Sequence, residues 1–243
     1  MTSTSAAPGP TSYTTLAPGP DHRHELAVKR SRFITVLRRV EDEAQARELV
    51  AELRREFHDA RHHCSAFVIG ANRSLQRSND DGEPSGTAGI PMLDALVKRE
   101  TRAASLTDAG STAIADLSDV CAVVVRYFGG ILLGAGGLVR AYSESVSTAV
   151  ALAPLVHRER LRLFQVQVPH AEAGRLENEL RSVGYAMTGN DYDAVHTHVG
   201  LAMADDPLVI VTARERLASY TAGRCQLLEV GTDWVDRPLS LGR

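Results

Sequence analysis

The chain is short of several things at once: it has 3 cysteines in 243 residues, 5% aromatic residues and no long unbroken apolar run. Cys64, Cys121 and Cys225 are odd in number and far apart, with no CxxC pair, so neither a disulfide framework nor a zinc or redox motif is expected. No segment carries eighteen successive apolar residues, which excludes a membrane-spanning helix. The first residues, "MTSTSAAPGPTSYTTLAPGP", lack the basic start and apolar stretch of a secretory signal. A cytoplasmic protein is expected. An excess of basic charge is missing too: the net charge is -3, the charges balance over residues 1–160 and they lean acidic afterwards. A wholly basic nucleic-acid-binding face is therefore excluded, and contact with a polyanion must come from a local cluster.

What is present is ordinary globular material, 44% hydrophobic and 23% charged, in a length that suits two modest domains. Residues 1–21, rich in Ser, Thr, Pro, Gly and Ala, read as a disordered tail. From His22 to Val40 two extended runs flank the basic turn at Lys29, a hairpin pattern. "EDEAQARELVAELRREFHDA" spaces Ala46, Leu49, Val50, Leu53 and Phe57 as one helical face behind acidic residues in the first turn. "RHHCSAFVIG" reads as a strand. The following "ANRSLQRSNDDGEPSGTAGIPM" is dense in turn formers and predicts a long loop. A short helix over 91–98, a polar surface insertion over 99–117 and a doubly buried strand over 119–128 complete the approach to a glycine-rich stretch. Beyond it, Leu138, Val139, Tyr142, Val146 and Val150 give a helix a core-facing stripe.

After Pro154 the order becomes strand, helix, strand, strand, helix, strand, which is the ferredoxin-like pattern. The predicted fold class is thus α+β, with domains over 22–155 and 156–237.

Two loops carry the chemistry. In "VVVRYFGGILLGAGGLVRAY", Gly129, Gly130, Gly134, Gly136 and Gly137 free the backbone between a strand and a helix. Amides at a helix N-terminus, with Arg126 before the loop and Arg140 after it, suit an anion such as phosphate. Close packing of strand, loop and helix would explain the same glycines, because the pattern is neither GxGxxG nor GxxxxGK[ST]. The second loop, "RSNDDGEPSGTAG", holds Asp80, Asp81, Glu83, Ser85 and Thr87. Its acids could bind a cation or act as a base if they converged, yet calcium-loop spacing is missing and Ser85 is not in a nucleophile elbow. Hydrogen bonding within the loop is the plainer role. His62 with Cys64, and His196 with His198, share strand faces but lack a second ligand pair, so no metal or other cofactor is expected.

The segments "KRSRF", "DARHHCSAF", "RSNDDGEPSGTAGIPML" and "VVVRYFGGILLGAGGLVRAY" resemble, in order and spacing, the signature of the IMPACT/YigZ family over roughly residues 22–235. The resemblance implies an N-terminal domain like the second domains of ribosomal proteins, rich in βαβ structure. It further implies a C-terminal ferredoxin-like domain similar to elongation factor G domain V. The motif positions it picks out are Lys29, Ser31, Arg32 and Phe33, then Arg61 and His62, Asp80 through Thr87, and Arg126 through Arg140. Both fold likenesses point to RNA or the ribosome, and eukaryotic relatives act in translational control through a protein partner, using a further domain that this sequence replaces with its tail. The expectation is a binding protein, with Lys29, Arg32, Arg61, Arg126, Tyr127 and Arg140 gathered beside the glycine loop. An enzyme acting on a phosphorylated small molecule or nucleotide is the alternative, with no catalytic residue assignable.

Overall fold

The computed structural model describes residues 9–102 and 113–238. Two compact units divide the chain: 1–157 with 236–243, and 158–235. The class is α+β, as expected.

In the first unit, β2 (His22–Val28) and β3 (Ser31–Arg39) form a hairpin around Lys29 and Arg30. Both turn residues have positive φ, 44° and 67°, as a two-residue turn matching strand twist requires. Helix α1 (Glu43–Glu56) starts where the Asp42 side chain accepts from Gln45 N at 2.8 Å. Next come β4 (His62–Ile69), β5 (Leu75–Asn79), α2 (Gly89–Val97), the two-residue strands β6 (Thr101–Arg102) and β7 (Ala113–Ile114), β8 (Val120–Tyr127) and α3 (Ala135–Leu152). The main sheet runs β2-β3-β8-β4-β5, with β8 antiparallel to both β3 and β4.

Strand alternation splits the core in two. Phe33, Leu37, Cys64, Ala66, Ala122 and Val124 pack with Met92 and Leu96 of α2 and Leu138, Tyr142 and Val146 of α3. Val36, Phe67, Cys121, Val123 and Val125 pack with Ala46, Leu49 and Leu53 of α1 on the opposite face. Hence β8 is buried on both sides, the reason for its continuous apolar run.

Four expectations need correction. The predicted disordered tail holds β1 (Ser12–Leu16), whose Tyr13, Thr14, Thr15 and Leu16 are buried. Thr14 N donates to Asp116 O, Ser118 N to Thr14 O, and Ala17 N to Pro154 O; a Tyr-Thr-Thr-Leu run suits a strand whatever surrounds it. Residues 1–8 of that tail lie outside the described residues. The long loop after β4 contains β5, a polar edge strand paired with β4. The insertion expected at 99–117 ends sooner, since Leu117 is fully buried in the core; its residues 103–112 lie outside the described residues. Val139 is exposed, and Ala141, Ser145 and Ala149 complete the buried face of α3 instead.

The second unit follows the expected element order: β9 (Leu155–Pro169), α4 (His170–Ser182), β10 (Ala186–Tyr192), β11 (His196–Ala204), α5 (Pro207–Thr221) and β12 (Leu227–Pro238). Its strands stand in the order β12-β9-β11-β10, the ferredoxin-like arrangement. Phe164, Val166, Val199 and Leu201 meet Leu176, Leu180, Ile210 and Leu217 in its core. No helix among the described residues is long and apolar enough to cross a membrane.

Candidate functional site

The acidic loop and the end of β8 come together. Glu83 is buried, and its Oε1 accepts from Arg126 Nη1 at 2.5 Å and from the Tyr142 hydroxyl at 2.8 Å. His62 Nε2 stands 3.9 Å from the same oxygen. Behind them, Cys64 Sγ lies 3.3 Å from the Tyr142 hydroxyl and 3.0 Å from Asp80 O. Burial raises the Cys64 thiol to about 12 and, with Cys64 and Glu83 beside it, pushes the Tyr142 phenol well above its ordinary value. Both are therefore neutral, and Tyr142 is available as a donor.

The other acids of the loop point elsewhere. Asp80 Oδ1 accepts from the amides of Ala88 (3.0 Å) and Gly89 (2.7 Å), and Oδ2 from Gly86 N (2.8 Å). This capping satisfies the first amides of α2, which has no side-chain cap of its own. Burial works against the Asp80 charge, but the three amide bonds outweigh it and hold the carboxyl below its ordinary range. Asp81 Oδ2 accepts from His63 N at 2.6 Å, and Asp81 Oδ1 pairs with Arg54. Ser85 is exposed, and the Thr87 hydroxyl donates to Pro84 O at 2.6 Å. Asp80, Asp81 and Glu83 thus diverge, each held by different partners. Among the described residues no three His, Cys, Asp or Glu side chains stand as a metal-holding group.

The expected gathering of basic residues also needs correction. Arg126 is buried against Glu83, with a side chain 7% exposed, so its charge is already matched. Arg32 pairs with Glu25 and stacks over Tyr127 at 5.4 Å on the α1 face of the sheet. Tyr127 donates to Asp59 Oδ1 at 2.7 Å. Arg61, exposed, immediately precedes β4 and its first residue His62, which pairs with Arg126. Lys29 and Arg140 are exposed, as is Arg30.

The five glycines divide by cause. A Cβ on Gly129 would fall 2.1 Å from the carbonyl carbon and oxygen of Arg30, so only glycine fits there. The Gly129 amide donates to Ser31 Oγ at 3.3 Å. Gly130 and Gly134 have φ of 82° and 73°. A Cβ on Gly137 would lie 3.0 Å from Leu133, whereas one on Gly136 would meet nothing within 4 Å. Packing therefore accounts for Gly129 and Gly137 and backbone conformation for Gly130 and Gly134, which leaves Gly136 unexplained by sterics. Helix α3 begins on Gly134 with no side-chain cap and no acid in its first turn. Sequence reasoning missed two members of the buried cluster as functional partners, Tyr142 and Cys64. The available signal was a tyrosine on an otherwise aliphatic helix stripe, since a buried phenol demands a partner.

The paired loops and the sheet beneath them define a recognisable class. The Impact N-terminal domain model matches residues 29–107 and 111–150, the span that holds both loops. The chain belongs to the IMPACT family. It is 36% identical over 205 residues to IMPACT family member YigZ of Escherichia coli, covering 84% of this chain and 91% of that one. It is 46% identical over 158 residues to IMPACT family member YvyE of Bacillus subtilis, a match spanning 65% of either chain. A solved structure described as that of a hypothetical protein is 32% identical and covers 90% of this chain and 98% of its own, with a TM-score of 0.58.

Proposed function

We propose that this protein binds RNA or the ribosome in the service of translation, receiving a phosphate where the glycine loop opens α3. The observation that carries the reading is the seating of Gly129 on the Arg30 carbonyl. This contact brings the turn of the exposed Lys29 and Arg30 to a loop whose helix has no side-chain cap on its first amides among the described residues, with Arg140 in its second turn. Amides of that kind and flexible cations suit a phosphate oxygen. Membership of the IMPACT family supports RNA as the source of the phosphate, and the near-neutral chain supports a small footprint. Arg126 serves as the pin that holds the loop's base to the acidic loop rather than as an anion ligand.

Cosedimentation with ribosomes between about 50 and 200 mM salt tests the reading. Binding should weaken as salt rises, and the Lys29→Ala/Arg30→Ala/Arg140→Ala variant should bind less and lose roughly 0.7 to 0.9 log units of slope per phosphate contact removed. Absence of wild-type cosedimentation at the lowest salt, or an unchanged slope in the variant, overturns it.

A further inference from the structure

We infer that Phe128 is a stacking platform for an unpaired RNA base, so that the nucleic acid bound here is single-stranded at the point of contact. The inference rests on the RNA reading above and adds the form of RNA recognised. Phe128 leaves β8 two residues after Arg126, on the same side of the chain. The Arg126 guanidinium lies 5.7 Å from the Phe128 ring centroid and 5.4 Å from that of Phe33. Phe33 in turn meets Tyr142 edge to face at 5.2 Å. A column therefore rises from the core through Tyr142, Phe33 and Arg126 to Phe128, and Glu83 fixes its charged member.

The column ends in solvent, with Phe128 48% exposed. Phe128 and Tyr192 are the aromatic members of the exposed large hydrophobic side chains among the described residues. Arg126 occupies one side of the Phe128 ring, which leaves the outward side to accept a flat partner. The next residue, Gly129, is the one seated on the Arg30 backbone, which brings the hairpin turn with its exposed Lys29 and Arg30 next to the chain that carries the ring. Ile131 and Leu132 of the same loop are exposed as well, Leu132 by 85%. An aromatic face with cations at its margin complements a base joined to its phosphate. A duplex keeps its bases stacked and paired internally, so the partner that fits is a single strand, a loop or an end.

The test is fluorescence anisotropy at low salt with a short labelled oligouridine, alone and annealed to oligoadenine, using the full chain and its Phe128→Ala and Phe128→Tyr variants. The single strand should bind more tightly than the duplex. Phe128→Ala should weaken single-strand binding by roughly 5- to 150-fold, the range of one aromatic–base stack, with the salt slope unchanged because no charge is lost. Phe128→Tyr should restore it, which separates loss of stacking from loss of fold. Equal affinity of wild type and Phe128→Ala, a duplex bound as well as the single strand, or failure of Phe128→Tyr to rescue overturns the inference. If the triple basic variant still flattens the ribosome salt slope, the phosphate reading survives that result; a wild type that binds neither RNA nor ribosomes removes both.

Discussion

Glu83 and Arg126, 43 residues apart in the chain, meet as a buried pair at 2.5 Å and tie the acidic loop to the strand that feeds the glycine loop. Removing one partner strands the other's charge out of water, which costs about 3–5 kcal/mol. Glu83→Ala also deprives Tyr142 of its acceptor. It should lower the urea midpoint sharply, whereas Glu83→Leu/Arg126→Met should recover a large part of the loss. The discriminating quantity is the coupling energy of the double-mutant cycle; a value near zero would show that the pair contributes nothing beyond packing.

Asp80 makes an acid-side prediction. Its folded pKa lies below the ordinary carboxylate value because three backbone amides hold the charged form against the opposing effect of burial. A depressed carboxyl contributes stability above its unfolded pKa and loses it as pH falls through the folded value. Wild-type stability should therefore drop on the acid side below the ordinary Asp range, and Asp80→Asn should be less stable at neutral pH with a flatter acid limb. Urea melts between neutral and strongly acidic pH measure both; parallel limbs in the two proteins would discount the amide cap.

These two carboxylates show where sequence reading stops. Helices α1 and α3, strand β8 and the ferredoxin-like second unit were legible because apolar periodicity follows burial on one face or both. Strand β5 was not, because Gln76, Arg77, Ser78 and Asn79 are the polar residues an edge strand uses, and in sequence they look like loop. Composition hid β1 in the same way. The acidic loop and the end of β8, distant in sequence, meet in the fold, but residues that share a segment do not share a destination. Asp80, Asp81 and Glu83 turn to three different partners, and Arg126 faces away from Arg32, which stands opposite Tyr127, because strand neighbours alternate. Only the fold decides that Arg126 is matched internally while Lys29 and Arg30 remain outside.

The three thiols should separate by accessibility. Cys64 and Cys121 are buried, and burial raises each to about 12, while Cys225 is only partly covered. Thiolate is the reactive form, so a mildly alkaline titration with a thiol reagent should modify Cys225 in the native protein and reach the other two only after denaturation. Rapid native labelling of Cys64 would mean that the buried cluster around Glu83 opens readily.

Gly129 and Gly136 stand on the same loop-to-helix segment and should respond oppositely to alanine. At Gly129 the new Cβ would strike the Arg30 backbone, and because backbone cannot swing aside like a side chain, the turn must move. Gly129→Ala should cost on the order of 1–3 kcal/mol and disturb binding at Lys29 and Arg30 with it. Gly136 lies in the first turn of α3, without a positive φ and with open space where a Cβ would go. Replacing it with alanine should stabilise the helix by about 0.5–1 kcal/mol. If the bare backbone at Gly136 is there for a phosphate to approach, Gly136→Ala should at once raise the melting temperature and weaken ribosome cosedimentation. Greater stability with binding fully retained would instead place the phosphate away from the α3 amides and leave the exposed cations Lys29, Arg30 and Arg140 as its support.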